Sequence, residues 1–141
     1  SINFINDVTR NKIRNIVIPY IKNEFNPNFI NTLDRLSNVI TEEDEYMKKR
    51  TIEVYNKIKI QEQEGYIVLN LKEFNLQDEV IRKRLIIYTI AQTIGSAQNI
   101  EKVNIEDIIK LCSNNIGNKY LTPNKNIKIS VGKGQVVFEK I

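Results

Sequence analysis

Residues 65–71 read GYIVLNL, and within this stretch the apolar side chains change from a helical to an alternating spacing. Every second side chain of a β-strand lies on the same face of its sheet, so Ile67, Leu69 and Leu71 are predicted to share one face. Before Gly65 the apolar residues recur in steps of three, four and seven, which is typical of a helix. We therefore expect a helical segment followed by a module that contains a sheet.

The first helix is predicted to run from about Asp7 to Phe25. Asn6 or Asp7 can cap its start, because short polar side chains accept hydrogen bonds from the first free backbone amides. Pro19 has no amide hydrogen to donate to the carbonyl group of Asn15, so we expect a kink or a break there.

A second, unusually long helix is predicted to begin at Asn26-Pro27, because asparagine is a favourable cap and proline suits a first helical turn. Its apolar residues form a narrow, heptad-like seam. They are Phe29, Leu33, Leu36, Ile40, Met47, Val54 and Ile58. We interpret residues 26–62 as a long arm or connecting helix that is packed on one side only.

Two more helices are predicted in the module that begins at Gly65. One covers residues 76–94 and is ended by Gly95, and a shorter one begins at Asn104 and ends before Gly117.

The last residues alternate again around Gly132-Lys133-Gly134, which predicts a β-hairpin. The predicted fold is α+β and mostly helical. A helical arm (residues 1–62) precedes a small module (residues 65–141), in which helices pack on a small antiparallel or mixed sheet.

The composition excludes several kinds of active site. The chain has no histidine, which removes serine-type triads, histidine general bases and most zinc sites. Its five glycines lie at predicted element boundaries and form no phosphate-binding loop. Cys112 falls in an apolar helical pattern and is predicted to be buried and structural. We expect this polypeptide by itself to be non-catalytic, with no catalytic residue, no metal site and no bound cofactor.

The net charge of +4 favours an anionic partner only weakly, because the abundance of lysine, asparagine and isoleucine is also what an AT-rich coding sequence produces. No apolar run reaches the roughly 18 residues of a membrane span, and no signal peptide is recognisable. We expect a cytoplasmic protein without a membrane partner.

Two arginines lie one helical turn apart near the amino terminus. Arg10 and Arg14 are predicted to share a helix face, while Ile13, Val17 and Tyr20 line another. Two cations in an opening turn are unfavourable beside the positive end of the helix dipole, which indicates an anionic partner outside this segment. The alternative is a solvated basic turn without a partner.

Two other basic clusters, Lys48-Lys49-Arg50 and Arg82-Lys83-Arg84, are candidates for binding an RNA backbone. The first follows Glu42-Glu43-Asp44-Glu45 on the same predicted helix and can be neutralised locally. The second spans about 200° of helix arc, so one of its members is expected to serve packing within the module. Of the aromatic residues, Tyr46, Tyr55 and Tyr120 stay undecided between core packing and stacking on bases.

Several short motifs follow one another along the chain. They are Arg10-Asn11-Lys12-Ile13-Arg14, Ile18-Pro19, Asn26-Pro27-Asn28, Glu42-Glu43-Asp44-Glu45-Tyr46, Arg82-Lys83-Arg84-Leu85, Gly117-Asn118-Lys119-Tyr120-Leu121-Thr122-Pro123 and Val136-Val137-Phe138. Their order resembles the region that follows the catalytic domain in tRNA(Ile)-lysidine synthetases, and the resemblance extends from about Val8 to Phe138. The ATP-pyrophosphatase loop of that family, of the Ser-Gly-Gly-x-Asp-Ser kind, is absent here and is expected before Ser1.

The resemblance implies a parent ligase that uses ATP and magnesium to join free lysine to the wobble cytidine of isoleucine tRNA. It implies that Arg10, Asn11 and Arg14 face the active site of the catalytic domain. It also implies that the module binds the tRNA body, for which the candidates are the basic residues Lys49, Arg50, Arg82 and Lys83.

Two alternatives remain open at this point. The chain could be a free-standing helical interaction module that forms a homodimer through residues 29–58. It could also be the tRNA-binding part of a related ATP-pyrophosphatase that installs sulfur, although such enzymes rely on cysteines and Cys112 is the only one here.

Overall fold

In the computed structural model of the chain, residues 2–114 and 118–141 are described, with side chains from residue 7 onward. The chain divides into two compact units, an N-terminal unit (Ser1–Glu45) and a C-terminal unit (Tyr46–Ile141). Gly117, the predicted stop of the shorter helix, lies outside the described residues. No described helix is both long enough and apolar enough to cross a lipid bilayer.

The N-terminal unit starts with a continuous helical run, whose parts are α1 (Ile2–Lys12), a π-helical turn (Ile13–Val17) and α2 (Ile18–Glu24). The predicted start near Asp7 is wrong, because the helix already includes Ile2. Asn6 and Asp7 therefore lie inside α1 and not at its start.

Pro19 does not break this run, contrary to the sequence-based expectation. The chain widens into the π-helical turn just before the proline, and the amide of Ile18 donates to the carbonyl of Ile13, five residues back. An α-helix would place the proline ring against the carbonyl group of Asn15. A π-helical turn relieves that crowding, so the run continues into α2 with proline in its first turn.

The long helix α3 (Phe29–Ile58) follows the Asn26-Pro27 turn as predicted. The side-chain Oδ1 of Asn26 accepts a hydrogen bond from the amide of Asn28 at 2.9 Å. The apolar residues in the first half of α3 are nevertheless exposed, with 53% of Leu36 and 55% of Ile40 accessible to solvent.

The C-terminal unit contains the last part of α3 and all of the strands. Its further elements are β1 (Lys59–Gln63), β2 (Tyr66–Asn70), α4 (Leu71–Asn75), α5 (Glu79–Ile94), α6 (Lys102–Asn114), β3 (Lys119–Asn124), β4 (Ile127–Gly132) and β5 (Gln135–Lys140). The strands form one sheet in the order β1-β2-β5-β4-β3, and every neighbouring pair is antiparallel. The mostly helical α+β fold is therefore confirmed, with the antiparallel form of the sheet.

The hairpin predicted around Gly132-Lys133-Gly134 is confirmed between β4 and β5. Gly132 pairs with Gln135, and the two turn residues Lys133 and Gly134 both have positive φ angles, of 53° and 73°. A two-residue turn of this kind matches the twist of the flanking strands. Gly95 ends α5 with a φ angle of 86°, also as predicted.

Other predicted boundaries also differ from the structure. The helix predicted over residues 76–94 begins at Glu79. Residues 59–62 belong to β1 and not to the long helix. Leu71 does not extend β2 but begins α4, where the side chain of Asn70 accepts a hydrogen bond from the amide of Glu73 at 2.9 Å. Asn104 does not precede α6 but lies in its first turn, and its side chain accepts from the amide of Glu101 at 2.8 Å.

The division between the units lies within α3, before the predicted boundary at residues 62–65. The physical reason is burial: Thr51, Val54, Tyr55 and Ile58 are buried in the core of the C-terminal unit. The last turns of α3 are thus part of the C-terminal unit.

The helices of the C-terminal unit pack on one face of the sheet. The strand residues that contribute to this core are Ile67, Leu69, Ile127, Ile129, Val131, Val136 and Phe138. The opposite face, here called the outer face, carries the alternate residues of the same strands. They are Gln61, Tyr66, Val68, Tyr120, Lys128, Ser130, Gln135, Val137 and Glu139.

Candidate functional site

Arg10 and Arg14 lie together at the surface of the N-terminal unit, as the sequence predicts. They line a hollow of about 500 Å³ with Thr9, Ile13 and Ile18. The prediction that Ile13 belongs to a different face is wrong, because Ile13 lines the same hollow and residues three apart, such as Arg10 and Ile13, are neighbours on a helix surface. The result is an open depression in which two guanidinium groups flank apolar side chains.

Neither arginine is paired with a carboxylate among the side chains described from residue 7 onward. Both are exposed, as is Asn11 between them. A guanidinium group presents five N–H donors in a planar fork that matches a phosphate or a carboxylate. The hollow is therefore suited chemically to an anionic group with an apolar part.

The four basic residues predicted to bind RNA lie in the C-terminal unit. Lys49 and Arg50 are exposed on α3, and Arg50 Nη1 lies 3.6 Å from Glu53 Oε2. On α5, Lys83 Nζ lies 3.4 Å from Glu79 Oε1. Both are solvent-accessible pairs within one helix, in which the Lys83 side chain is 38% exposed. Such pairs add little stability and leave the cations accessible to an RNA backbone.

Arg82 is the member of its cluster that turns toward the module. It is half-buried, and its Nε atom is shielded from solvent without a hydrogen-bond partner in the described structure. Its neighbour Arg84 lines a second hollow, of about 480 Å³, with Lys48, Ile87 and Tyr88. Both cations of that hollow interact with other groups of the protein. The role of Arg82 in RNA contact stays a prediction.

A polar cluster at the start of the sheet is structural. Tyr55 Oη donates to Glu62 Oε1 at 2.8 Å, and Lys59 Nζ donates to Glu62 Oε2 at 2.6 Å. Burial raises the pKa of Tyr55 above its ordinary range, and the hydrogen bond from Lys59 lowers the pKa of Glu62. Each group therefore keeps its ordinary charge near neutral pH, and the cluster ties β1 to the end of α3.

Cys112 is fully buried in the core, and this burial raises its thiol pKa to about 12. The thiolate is the reactive form, so the folded protein holds the thiol inert. We expect the native chain to react with Ellman's reagent at about pH 8 only as fast as the C-terminal unit opens. The reaction in guanidinium chloride should be immediate, and immediate stoichiometric labelling of the native chain would contradict this prediction.

The outer face of the sheet carries side chains that sequence reasoning did not bring together. Tyr120 is 61% exposed, and Lys128 Nζ lies 4.7 Å from the centre of its ring. Both border a hollow of about 310 Å³ that is also lined by Lys119 and Lys133. The alternation of the closing strands could have indicated that Lys128 and Ser130 share a face, but it does not show which strand lies beside them.

No group of three or more histidine, cysteine, aspartate or glutamate side chains that could hold a metal ion occurs among the described residues. The described glycines lie in turns or at the end of a helix or strand. Their placement does not fit a loop that cradles the phosphates of a nucleotide.

No family model matches the chain. Curated relatives are similar to nearly all of it. The tRNA(Ile)-lysidine synthase of Clostridioides difficile is 30% identical over 136 residues, which are 96% of this chain and 29% of that protein. Its counterparts in Clostridium acetobutylicum and Clostridium tetani are 32% and 31% identical and match 86% and 93% of this chain. The chain spans between 26% and 29% of the length of these three relatives.

Proposed function

The chain belongs to the tRNA(Ile)-lysidine synthase family, and from this premise we propose that it positions isoleucine tRNA for the ligation of lysine. The reaction joins lysine to the wobble cytidine at the expense of ATP. The proposal treats this chain as the part of such an enzyme that lies beside a catalytic domain. Residues outside the chain supply the adenylation chemistry.

The observation that carries the proposal is the hollow around Arg10 and Arg14. Two guanidinium groups, neither of them paired with a carboxylate among the described side chains, flank Ile13 and Ile18 at an open surface. In this proposal the pair faces the catalytic domain and binds a phosphate of the tRNA or of the adenylated cytidine. Asn11 lies between the two arginines in sequence and belongs to the same surface.

The described residues do not form a site that is suited to ATP or to magnesium. They contain no cluster of carboxylates suited to a metal ion and no glycine-rich phosphate loop. We therefore assign this chain a binding role. The parent enzyme is proposed to be an ATP-dependent, cytoplasmic ligase that forms a carbon–nitrogen bond.

The basic residues of α3 and α5 are proposed to hold the tRNA body. Lys49 and Arg50 are exposed, and the side chain of Lys83 is 38% exposed. The ion pairs of Arg50 and Lys83 lie within one helix and are weak. Contacts of this kind bind phosphates and position the substrate without reading its sequence. Arg82 can join them only if its half-buried side chain turns outward.

Steady-state kinetics of the enzyme that carries this chain test the proposal. The Lys49→Ala/Arg50→Ala and Lys83→Ala variants are expected to raise the KM for tRNA by about threefold to tenfold, because each loses phosphate contacts. The kcat at saturating tRNA should change little. Lys57→Ala is the matched control, since Lys57 is another exposed cation of α3. Equal KM values for all of these variants and the wild type would contradict the proposed role.

A second candidate function is supported by the exposed apolar residues of α3. In the N-terminal unit Leu33, Leu36 and Ile40 are exposed, although they belong to the predicted seam. Apolar residues at this spacing favour docking to another helical surface, which would be a second copy in a homodimer. Light scattering distinguishes the two candidates: a dimer that Leu36→Asp converts to a monomer favours the interaction module.

A further inference from the structure

The outer face of the sheet is accessible at the end that carries β3 and β4. Val68, Val137, Ser130 and Tyr120 lie in adjacent register across four strands. Val68 is buried, Val137 and Ser130 are half-buried, and Tyr120 at the end of the row is exposed. The described helices of the unit pack on the opposite face. The row therefore becomes more accessible toward the tyrosine.

The charges beside Tyr120 have one sign. The hollow of about 310 Å³ is lined by Lys119, Lys128 and Lys133, and no carboxylate lines it. Glu139 lies opposite Lys128 on the outer face but outside the lining of the hollow. One ammonium group beside an exposed aromatic ring, with two more lysines lining the same hollow, is complementary to an anionic chain that also carries planar groups.

The lining of the hollow is closely packed at Gly132. A Cβ atom on this glycine would lie 2.5 Å from Asn118 Oδ1, so the asparagine side chain already occupies the space beside the backbone. The hairpin turn holds Lys133 beside it with a φ angle of 53°. The lysine is thus presented by a short, closed turn rather than by a long loop.

We propose that the outer face around Tyr120, Lys128 and Lys133 binds a single-stranded segment of RNA. One unpaired base stacks on the ring of Tyr120, and the lysines bind the neighbouring phosphates. Stacking on an exposed ring requires a base that is free of its own helix, so loops and ends are suited and duplex RNA is not. The choice of RNA over a protein partner rests on the proposed function, in which the substrate is a tRNA.

Binding of a short, unstructured, fluorescently labelled RNA oligonucleotide to the 141-residue chain tests this inference. Tyr120→Ala is expected to raise the Kd by about fivefold or more, and Tyr120→Phe by less than about twofold, because phenylalanine keeps the ring. The Lys128→Gln/Lys133→Gln variant should lower the slope of log Kd against log salt by about 0.7 for each lost contact. The Lys72→Gln/Lys110→Gln variant has the same net charge and changes exposed lysines of α4 and α6.

Four outcomes would overturn the inference. They are an unchanged Kd for Tyr120→Ala, an equal effect of both lysine variants, tighter binding of the corresponding duplex, and no binding below roughly 100 µM. A dimer of the chain that Tyr120→Ala dissociates would assign this face to self-association instead.

If the oligonucleotide experiment contradicts the inference about the outer face, the proposed function is unaffected. The proposed function is tested separately, by the KM for tRNA of the variants in α3 and α5. If those variants behave like the wild type while oligonucleotide binding still requires Tyr120, the outer face remains an RNA-binding surface and the proposed function falls.

Discussion

Replacing Phe138 with alanine is expected to lower the free energy of unfolding of the C-terminal unit by about 3–5 kcal/mol. Phe138 lies in the middle of β5 and is fully buried. Its neighbours in the sheet, Ile67 on β2 and Ile129 on β4, are also fully or almost fully buried. The truncation leaves a cavity that these strand residues cannot fill, because the sheet register holds their backbones in place. Chemical denaturation followed by circular dichroism measures the change.

Leu76→Ala is the control for this experiment. Leu76 is also apolar and belongs to the same unit, but it is 68% exposed, so its truncation should change the free energy of unfolding by less than about 0.5 kcal/mol. Comparable losses in the two variants would show that the core is not centred on the sheet face that carries Phe138.

Replacing both Arg10 and Arg14 with alanine is expected to lower the kcat for lysidine formation by about tenfold to a hundredfold in the enzyme that carries this chain. In the proposed function, each change removes charge-assisted hydrogen bonds to an anionic group at the active site. The melting temperature should stay the same, because both side chains are exposed and neither is paired with a described carboxylate.

The matched control is Arg35→Ala, which removes an exposed arginine of the same unit that lies outside the hollow of Arg10 and Arg14. Arg10→Lys should recover only part of the rate, because lysine keeps the charge and loses the planar fork. Unchanged turnover in the double alanine variant would remove the active-site role of the pair, whatever its effect on tRNA binding.

The candidate site was only partly predictable. The spacing of Arg10 and Arg14 indicates a shared face, and the structure places both in one hollow. Ile13 was assigned to a different face, although its spacing of three residues from Arg10 makes the two side chains neighbours on a helix, so its place in the hollow could have been predicted. The lysines around Tyr120 were missed for a different reason. Lys128 and Tyr120 lie on separate strands, and only the pairing register of β3 with β4 brings them together.

The burial of residues along α3 also could not be predicted from the sequence. Leu36, Ile40, Val54 and Ile58 belong to one apolar seam in the sequence. Val54 and Ile58 are buried, whereas Leu36 and Ile40 are exposed. Periodicity shows that residues share a face, but it does not show what covers that face. The covering elements of Val54 and Ile58 come from residues that follow later in the chain.

The sequence alone determined the α+β class, the hairpin around Lys133, the end of α5 at Gly95 and the unusual length of α3. These features depend on local chemistry: the alternation of side chains, the left-handed backbone that glycine favours, and helical spacing. Only the tertiary structure decided where the globular unit begins within α3 and which face of the sheet the described helices cover. Both depend on contacts between residues far apart in the chain, where burial of apolar surface selects one packing among several that share the same local pattern.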